Sequence, residues 1–148
     1  MDKEKIAELI SKLTDKNNKI GCGAMEQLQA ISAESDEVCC YLPEFFQLLT
    51  NKNSYVRNRA LLLIAANACH DTDGIIDKNL TAYLSHITDP KPITARQCIG
   101  GLREIAAHKP NLRSQIRTAL QQADISHYAD SMRPLVAKDI GNLLTALE

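Results

Sequence analysis

The chain has 148 residues, 45% of them hydrophobic, with no Trp and only 4% aromatic side chains. That is enough for one domain whose core must be built from Leu, Ile, Ala and Val, a composition that suits packed helices better than a sheet. With 17 Lys or Arg against 18 Asp or Glu the formal net charge is -1, which argues against an affinity for nucleic acid that rests on bulk positive charge.

The N-terminus, Met1-Asp-Lys-Glu-Lys-Ile6, alternates charges and lacks the apolar stretch of a signal peptide. The longest apolar run, Ala60 to Ala66, is 7 residues and too short for a bilayer. A cytoplasmic protein with no membrane partner is expected. The first apolar stripe is Ile6, Leu9, Ile10 and Leu13, followed by the turn Leu13-Thr-Asp-Lys-Asn17 and a second stripe, Ile20, Ala24, Leu28 and Ile31. Asp36 is placed to cap a helix beginning at Glu37, which carries Val38, Leu42, Phe45 and Leu49 at i, i+4, i+7 and i+11. The turn Leu49-Thr-Asn-Lys-Asn53 then leads to Val56, Ala60, Ile64 and, less well, Asn67. Because Ala60 to Ala66 is apolar nearly all round, this second helix is expected to be buried on several sides.

Asp71-Thr-Asp-Gly74 breaks the chain before Ile76, Leu80, Tyr83 and Ile87. The turn Ile87-Thr-Asp-Pro-Lys91 precedes Thr94, Cys98, Leu102 and Ile105, and Lys109-Pro-Asn111 is the next break. Leu112, Ile116, Ala119 and Leu120 follow, then an irregular stretch from Gln121 to Asp130, then Met132, Val136, Ile140, Leu143 and Leu147. Setting Leu13, Leu49 and Ile87 in register shows one pattern recurring at 36 to 38 residues. The expected fold is all-α: a single domain, residues 1–148, of about eight helices in four antiparallel hairpins, with repeats at roughly 2–35, 36–72, 73–109 and 110–148.

Once that register is set, the chain resembles the HEAT-repeat (armadillo/HEAT-like) family of α-solenoids along essentially its whole length. The marks are Tyr41-Leu-Pro-Glu-Phe-Phe-Gln-Leu-Leu49 with Pro43, an Asp or Asn in each turn (Asp15, Asn51, Asp89), and Val56-Arg57 opening a second helix, with Met132-Arg133 as a variant. The resemblance implies an α-α superhelix in which turn Asp and helix Arg bond between neighbouring units. Here the Arg position reads Gly21, Arg57, Ala95 and Arg133, so that ladder is expected to be incomplete.

The resemblance also implies a concave surface lined by the second helices. Positions opposite Ala60 at 100° per residue, carried through the register, give Lys19, Cys22, Glu26 and Gln29, then Tyr55, Asn58 and Leu62, then Ile93, Arg96, Gly100 and Arg103, then Ser131 and Lys138. The binding set is Glu26, Gln29, Tyr55, Asn58, Leu62, Arg96, Arg103, Ser131 and Lys138. Residues 1–74 carry 8 basic and 11 acidic side chains and residues 75–148 carry 9 and 7, so the surface is expected to turn more basic along the stack.

Other constellations carry less chemistry. Glu34, His70 and His108 share a register position, but each ends a helix and further ligands are unassigned, so no metal is expected. Cys22, Cys39, Cys40, Cys69 and Cys98 include no Cys-x-x-Cys spacing and read as reduced, buried or half-buried small residues. Gly21-Cys-Gly23 and Gly100-Gly101 lack phosphate-loop spacing and are expected to loosen a helix start or permit close helix contact. No catalytic motif is present and no cofactor is implied. A non-catalytic scaffold for a protein or peptide is the leading expectation. HEAT-like enzymes that remove alkylated bases from DNA, and helpers of cofactor or metal-cluster assembly, are the alternatives; the absence of Trp and the net charge of -1 weigh against nucleic acid.

Overall fold

The structure is a computed structural model and describes residues 2–148. Met1, the first residue of the predicted domain and of its charged N-terminus, lies outside the described residues. The chain is all-α, with nine α-helices and no strand among the described residues: α1 (Lys3–Ser11), α2 (Asn18–Glu34), α3 (Leu42–Leu48), α4 (Ser54–Ala66), α5 (Ile75–Lys78), α6 (Leu80–Leu84), α7 (Pro92–His108), α8 (Arg113–Gln122) and α9 (Arg133–Ala146). None of them is long and apolar enough to cross a membrane.

The helices α2, α4, α7 and α9 lie side by side in chain order, each packed on the next. The first helices form the other layer, with α1 on α2, α3 on α4, the turn after α6 on α7, and α8 against both α7 and α9. The recurring turn is the local cause of this regularity. In each of three turns a side-chain oxygen accepts the N–H two residues on: Asp15 from Asn17 at 2.8 Å, Asn51 from Asn53 at 2.9 Å and Asp89 from Lys91 at 2.9 Å. Asn17 and Asn53 then cap α2 and α4 by accepting from Lys19 and Tyr55, and α7 starts with Pro92, which needs no donor there. Three turns of one geometry aim three second helices in one direction.

The helix α4 is interior, as its apolar composition predicts. Val56, Ala60, Leu61, Leu63 and Ile64 are buried, and it packs on both α2 and α7. The approach to α7 is close enough to demand glycine: a Cβ on Gly101 would collide with the Tyr83 hydroxyl and lie 3.0 Å from the Ala65 methyl. Tyr83 is fully buried, and its hydroxyl donates to the Cys98 carbonyl at 2.9 Å.

Buried charges fasten the row. Arg57 donates to both carboxylate oxygens of Asp89 in the next turn, at 3.0 and 2.8 Å, and its remaining nitrogen reaches the carbonyls of Asn51 and Lys52. At the opposite end of the same junction, Lys109 after α7 sits 3.2 Å from the Asp71 carboxylate and 2.5 Å from Asp77. Toward α2, Arg59 donates to the Leu13 carbonyl at 2.7 Å and to the Asn18 side chain at 3.0 Å. Its guanidinium rests over Gly21, where a Cβ would collide with it. The missing arginine at Gly21 is thus replaced by one reaching back from the following helix. At the C-terminal end Arg133 bonds the Tyr128 carbonyl and pairs with Asp130, while the Tyr128 hydroxyl donates to the Asp89 carbonyl.

Four expectations need correction. The helix count rises from eight to nine because the segment through Ile76 and Ile87 divides at Asn79, whose N–H and side-chain amide both return to the Ile75 carbonyl and close α5. The buried stripe survives the break, since Ile76, Leu80, Tyr83 and Ile87 are each at most 2% exposed. The second unit's first helix starts at Leu42, five residues later than Glu37. Cys39–Tyr41 forms a tight turn before it, and Ser35, not Asp36, accepts the Glu37 N–H. Ile20 is 43% exposed where an inward residue was expected; the inward face of α2 is Gly21, Ala24, Met25 and Leu28, because Arg59 comes down onto Gly21. Met132 precedes α9 as its N-cap and does not form part of the buried stripe, and Ile31 and Ile140 are half-buried.

Candidate binding face of the second helices

Two adjoining grooves cross the exposed side of α2, α4, α7 and α9. One, of about 510 Å³, lies between α7 and α9 and is lined by Ile93, Arg96, Gln97, Gly100, Arg103 and Asp139 among others. The second, of about 430 Å³, runs over α2, α4 and α7 along Gln29, Leu62, Ala66, Cys69, Gly100 and Glu104. Gln97 and Gly100 line both, so the two grooves share a wall on α7.

Of the predicted binding set, Gln29, Leu62, Arg96 and Arg103 line these grooves. Glu26 is exposed on α2, where it accepts from the Cys22 thiol at 3.7 Å. Tyr55 stands 55% exposed at the start of α4, and Asn58, one turn on, is half-buried with its side-chain oxygen unbonded among the described residues. Ser131 and Lys138 are exposed and lie outside both grooves. The reason is the start of α9 at Arg133: Ser131 falls in the loop before the helix, and the groove face of α9 runs through Asp139 and Asn142, one residue from Lys138.

Asp139 lines the α7–α9 groove and is not in the predicted set. Its carboxylate accepts from Arg96 at 2.7 and 3.4 Å across α7 and α9. This pair cancels one of the two arginines expected to make this end basic. Arg103 has no ion pair or hydrogen bond among the described residues, and Glu104 beside it lies 3.7 Å from His108. Gln97, Asn142 and Glu104 were also missed, and locating the start of α9 at Arg133-Pro134 would have brought Asp139 and Asn142 onto the face.

The remaining candidates have local explanations. A ring nitrogen of His70 lies 2.7 Å from the Ser32 carbonyl, and among the described residues no group of three or more His, Cys, Asp or Glu is placed to hold a metal. The five cysteines are free. Cys98 is buried, and burial pushes its thiol well above the ordinary value. Cys39 is half-buried and raised to about 11, by burial first and then by Asp71 and Asp36. Cys40 and Cys69 are exposed, against the expectation of buried or half-buried small residues, and Cys22 is exposed on the side of α2 opposite Ala24. The buried Asp89 carboxylate accepts from Arg57, His86 and the Lys91 N–H. Burial alone would raise its carboxyl, but hydrogen bonds from Arg57, the Lys91 N–H and His86 hold it below the usual carboxylate range. Compared with known proteins, the chain matches no family model, no curated protein and no solved structure.

Proposed function

We propose that this chain is a non-catalytic, HEAT-like binding module of the cytosol that holds a protein or peptide segment on the exposed face of α2, α4, α7 and α9. The carrying observation is the pair of adjoining grooves that share Gln97 and Gly100, because they extend one recessed surface across all four second helices. A continuous track of that kind suits a chain segment better than a compact small molecule. Its lining mixes apolar Leu62, Ala66 and Ile93 with polar Gln29, Gln97 and Asn142 and the unpaired Arg103, a composition that offers both burial and hydrogen bonding. The rigidity needed to present it comes from the buried Arg57–Asp89 and Lys109–Asp71 bridges behind it.

Peptides selected from a random display library on the intact chain provide the test, with affinity measured by calorimetry. Leu62→Asp and Arg103→Glu should each weaken binding by about tenfold or more, as truncation of central contacts does. Glu44→Lys on the exposed side of α3 should leave it unchanged. The reverse pattern would place binding on the first-helix layer and overturn the proposal. Retention on DNA that falls with salt would favour a nucleic-acid ligand instead.

A further inference from the structure

Among the described residues, the exposed large apolar side chains are Ile20 at 43%, Tyr55 at 55%, Ile93 at 60% and Leu135 at 39%. Each lies in the first turn of a second helix: α2, α4, α7 and α9 in order. Three of them head the binding face. Tyr55 is seven residues before Leu62 and so lies on the same side of α4. Ile93 is three residues before Arg96 and lines the α7–α9 groove; Leu135 is four residues before Asp139, the partner of Arg96, and so lies one turn from that cross-helix pair on α9. Ile20 differs: it is two residues from Cys22, about 200° around α2 from the face that carries Cys22 and Gln29.

The charge beside this apolar rim is one-sided. Lys52 and Lys91 lie in the turns before α4 and α7, one residue apart in register, are exposed, and form no ion pair among the described residues. Of the acidic groups in the same turns, Asp89 is buried against Arg57, and Asp130 is an exposed partner of Arg133 before α9. At the start of α7 the Lys91 N–H donates to the Asp89 carboxylate, Pro92 has no N–H, and no side chain caps the helix.

We infer that an extended acidic segment of a partner protein, with an apolar residue at every third position, lies across the N-terminal rim of α4, α7 and α9. The two exposed lysines, Lys52 and Lys91, supply the complementarity for acid. The spacing follows from packing: neighbouring helices stand about 8–10 Å apart, and an extended polyproline-like chain rising about 3.1 Å per residue returns a side chain to the same face every three residues, about 9.3 Å on. Leu-type residues of the segment then meet Tyr55, Ile93 and Leu135 in turn, and the carboxylates between them face Lys52 and Lys91. Ile93 lines a recess, into which a chain segment fits and a flat bilayer does not. This inference rests on the binding-face reading and adds the chemistry of the occupant.

The test is fluorescence anisotropy on the intact chain with a labelled peptide bearing Leu at positions one, four and seven and Asp or Glu elsewhere. Two controls have the same Leu count: one places Leu at alternate positions, the other replaces the acids by Lys. The expected result is about tenfold tighter binding of the first peptide than of either control, and a further loss of about tenfold on Ile93→Asp or on combined Lys52→Glu and Lys91→Glu. Affinity should also fall with added salt. All three substituted positions are exposed, and circular dichroism checks that the helices persist. Failure of the peptide to bind, or equal affinity for all three peptides, overturns the inference. So does co-sedimentation with phosphatidylcholine–phosphatidylserine vesicles that the same substitutions abolish, which would make the rim a membrane contact. If library-selected peptides are lost on Leu62→Asp yet indifferent to the rim variants, the inference fails while the binding face stands. If they are indifferent to both, the face fails too.

Discussion

The α4–α7 junction and the α7–α9 junction are made of the same kinds of helix, yet they are held differently. Between α4 and α7 the charges are buried: the Arg57 side chain is 10% exposed and Asp89 0%, and Lys109 is 10% exposed beside Asp71 at 1%. Gly101 lets the backbones close between those two clamps. Between α7 and α9 the corresponding ion pair, Arg96 and Asp139, is 41% and 25% exposed, and a groove of about 510 Å³ opens over it. The first junction is closed and the second is open. The binding module proposed above needs both, a surface held still and a part of it open to a ligand.

The largest effect should come from Asp89→Ala. It leaves Arg57 as an uncompensated buried charge, and the expected cost is about 3–5 kcal/mol, measured by urea unfolding. The same carboxylate predicts a pH dependence. Because its native value is depressed, its contribution is complete above about pH 4, the ordinary Asp value, and is lost as pH falls through the lower native value. Asp89→Asn should flatten that acid limb, and an unchanged limb would show that other carboxylates carry it.

Adjacent glycines sharpen the comparison further. Gly101→Val forces atoms into the Tyr83 hydroxyl and Ala65 and should destabilise by about 1–3 kcal/mol. Gly100→Ala, whose Cβ meets nothing within 4 Å, should stabilise by about 0.5–1 kcal/mol through helix propensity. Equal effects at the two positions would mean that α7 does not approach α4 as described. Last, Arg96→Ala at the open junction should leave the unfolding midpoint within error, as expected of an exposed pair. A large loss there would erase the distinction between the two junctions.

Much of the fold was legible because the turns repeat. Leu13, Leu49 and Ile87 fixed the register, and the Asx turns after them are local structures that Asp15, Asn51 and Asp89 form with their own backbone. The break at Asn79 and the late start of α3 were not legible from apolar spacing, since Ile76 to Ile87 and Val38 to Leu49 keep a helical period across interrupted backbone. Gly21 looked like a lost arginine, and only the tertiary structure shows Arg59 of the next helix filling its place.

The site was legible to the extent that helix angle decides it. Gln29, Leu62, Arg96 and Arg103 were found from their distance around the helix from buried Ala60 and its equivalents. Ser131 and Lys138 lie outside both grooves because the irregular stretch before α9 shifts its start relative to the other repeats. Asp139 escaped for the same reason, and with it the neutralisation of Arg96. Tyr55, Ile93 and Leu135 mark a rim only once the four helix starts are known.

An NMR titration of the isotope-labelled protein with a library-selected peptide tests whether the exposed face of the second helices binds a chain segment. Amide shifts should concentrate at Tyr55, Leu62, Ile93, Gln97, Gly100 and Arg103 and leave α1, α3 and α8 unmoved. Shifts centred on α1, α3 or α8, with the face of α4 and α7 silent, would contradict it.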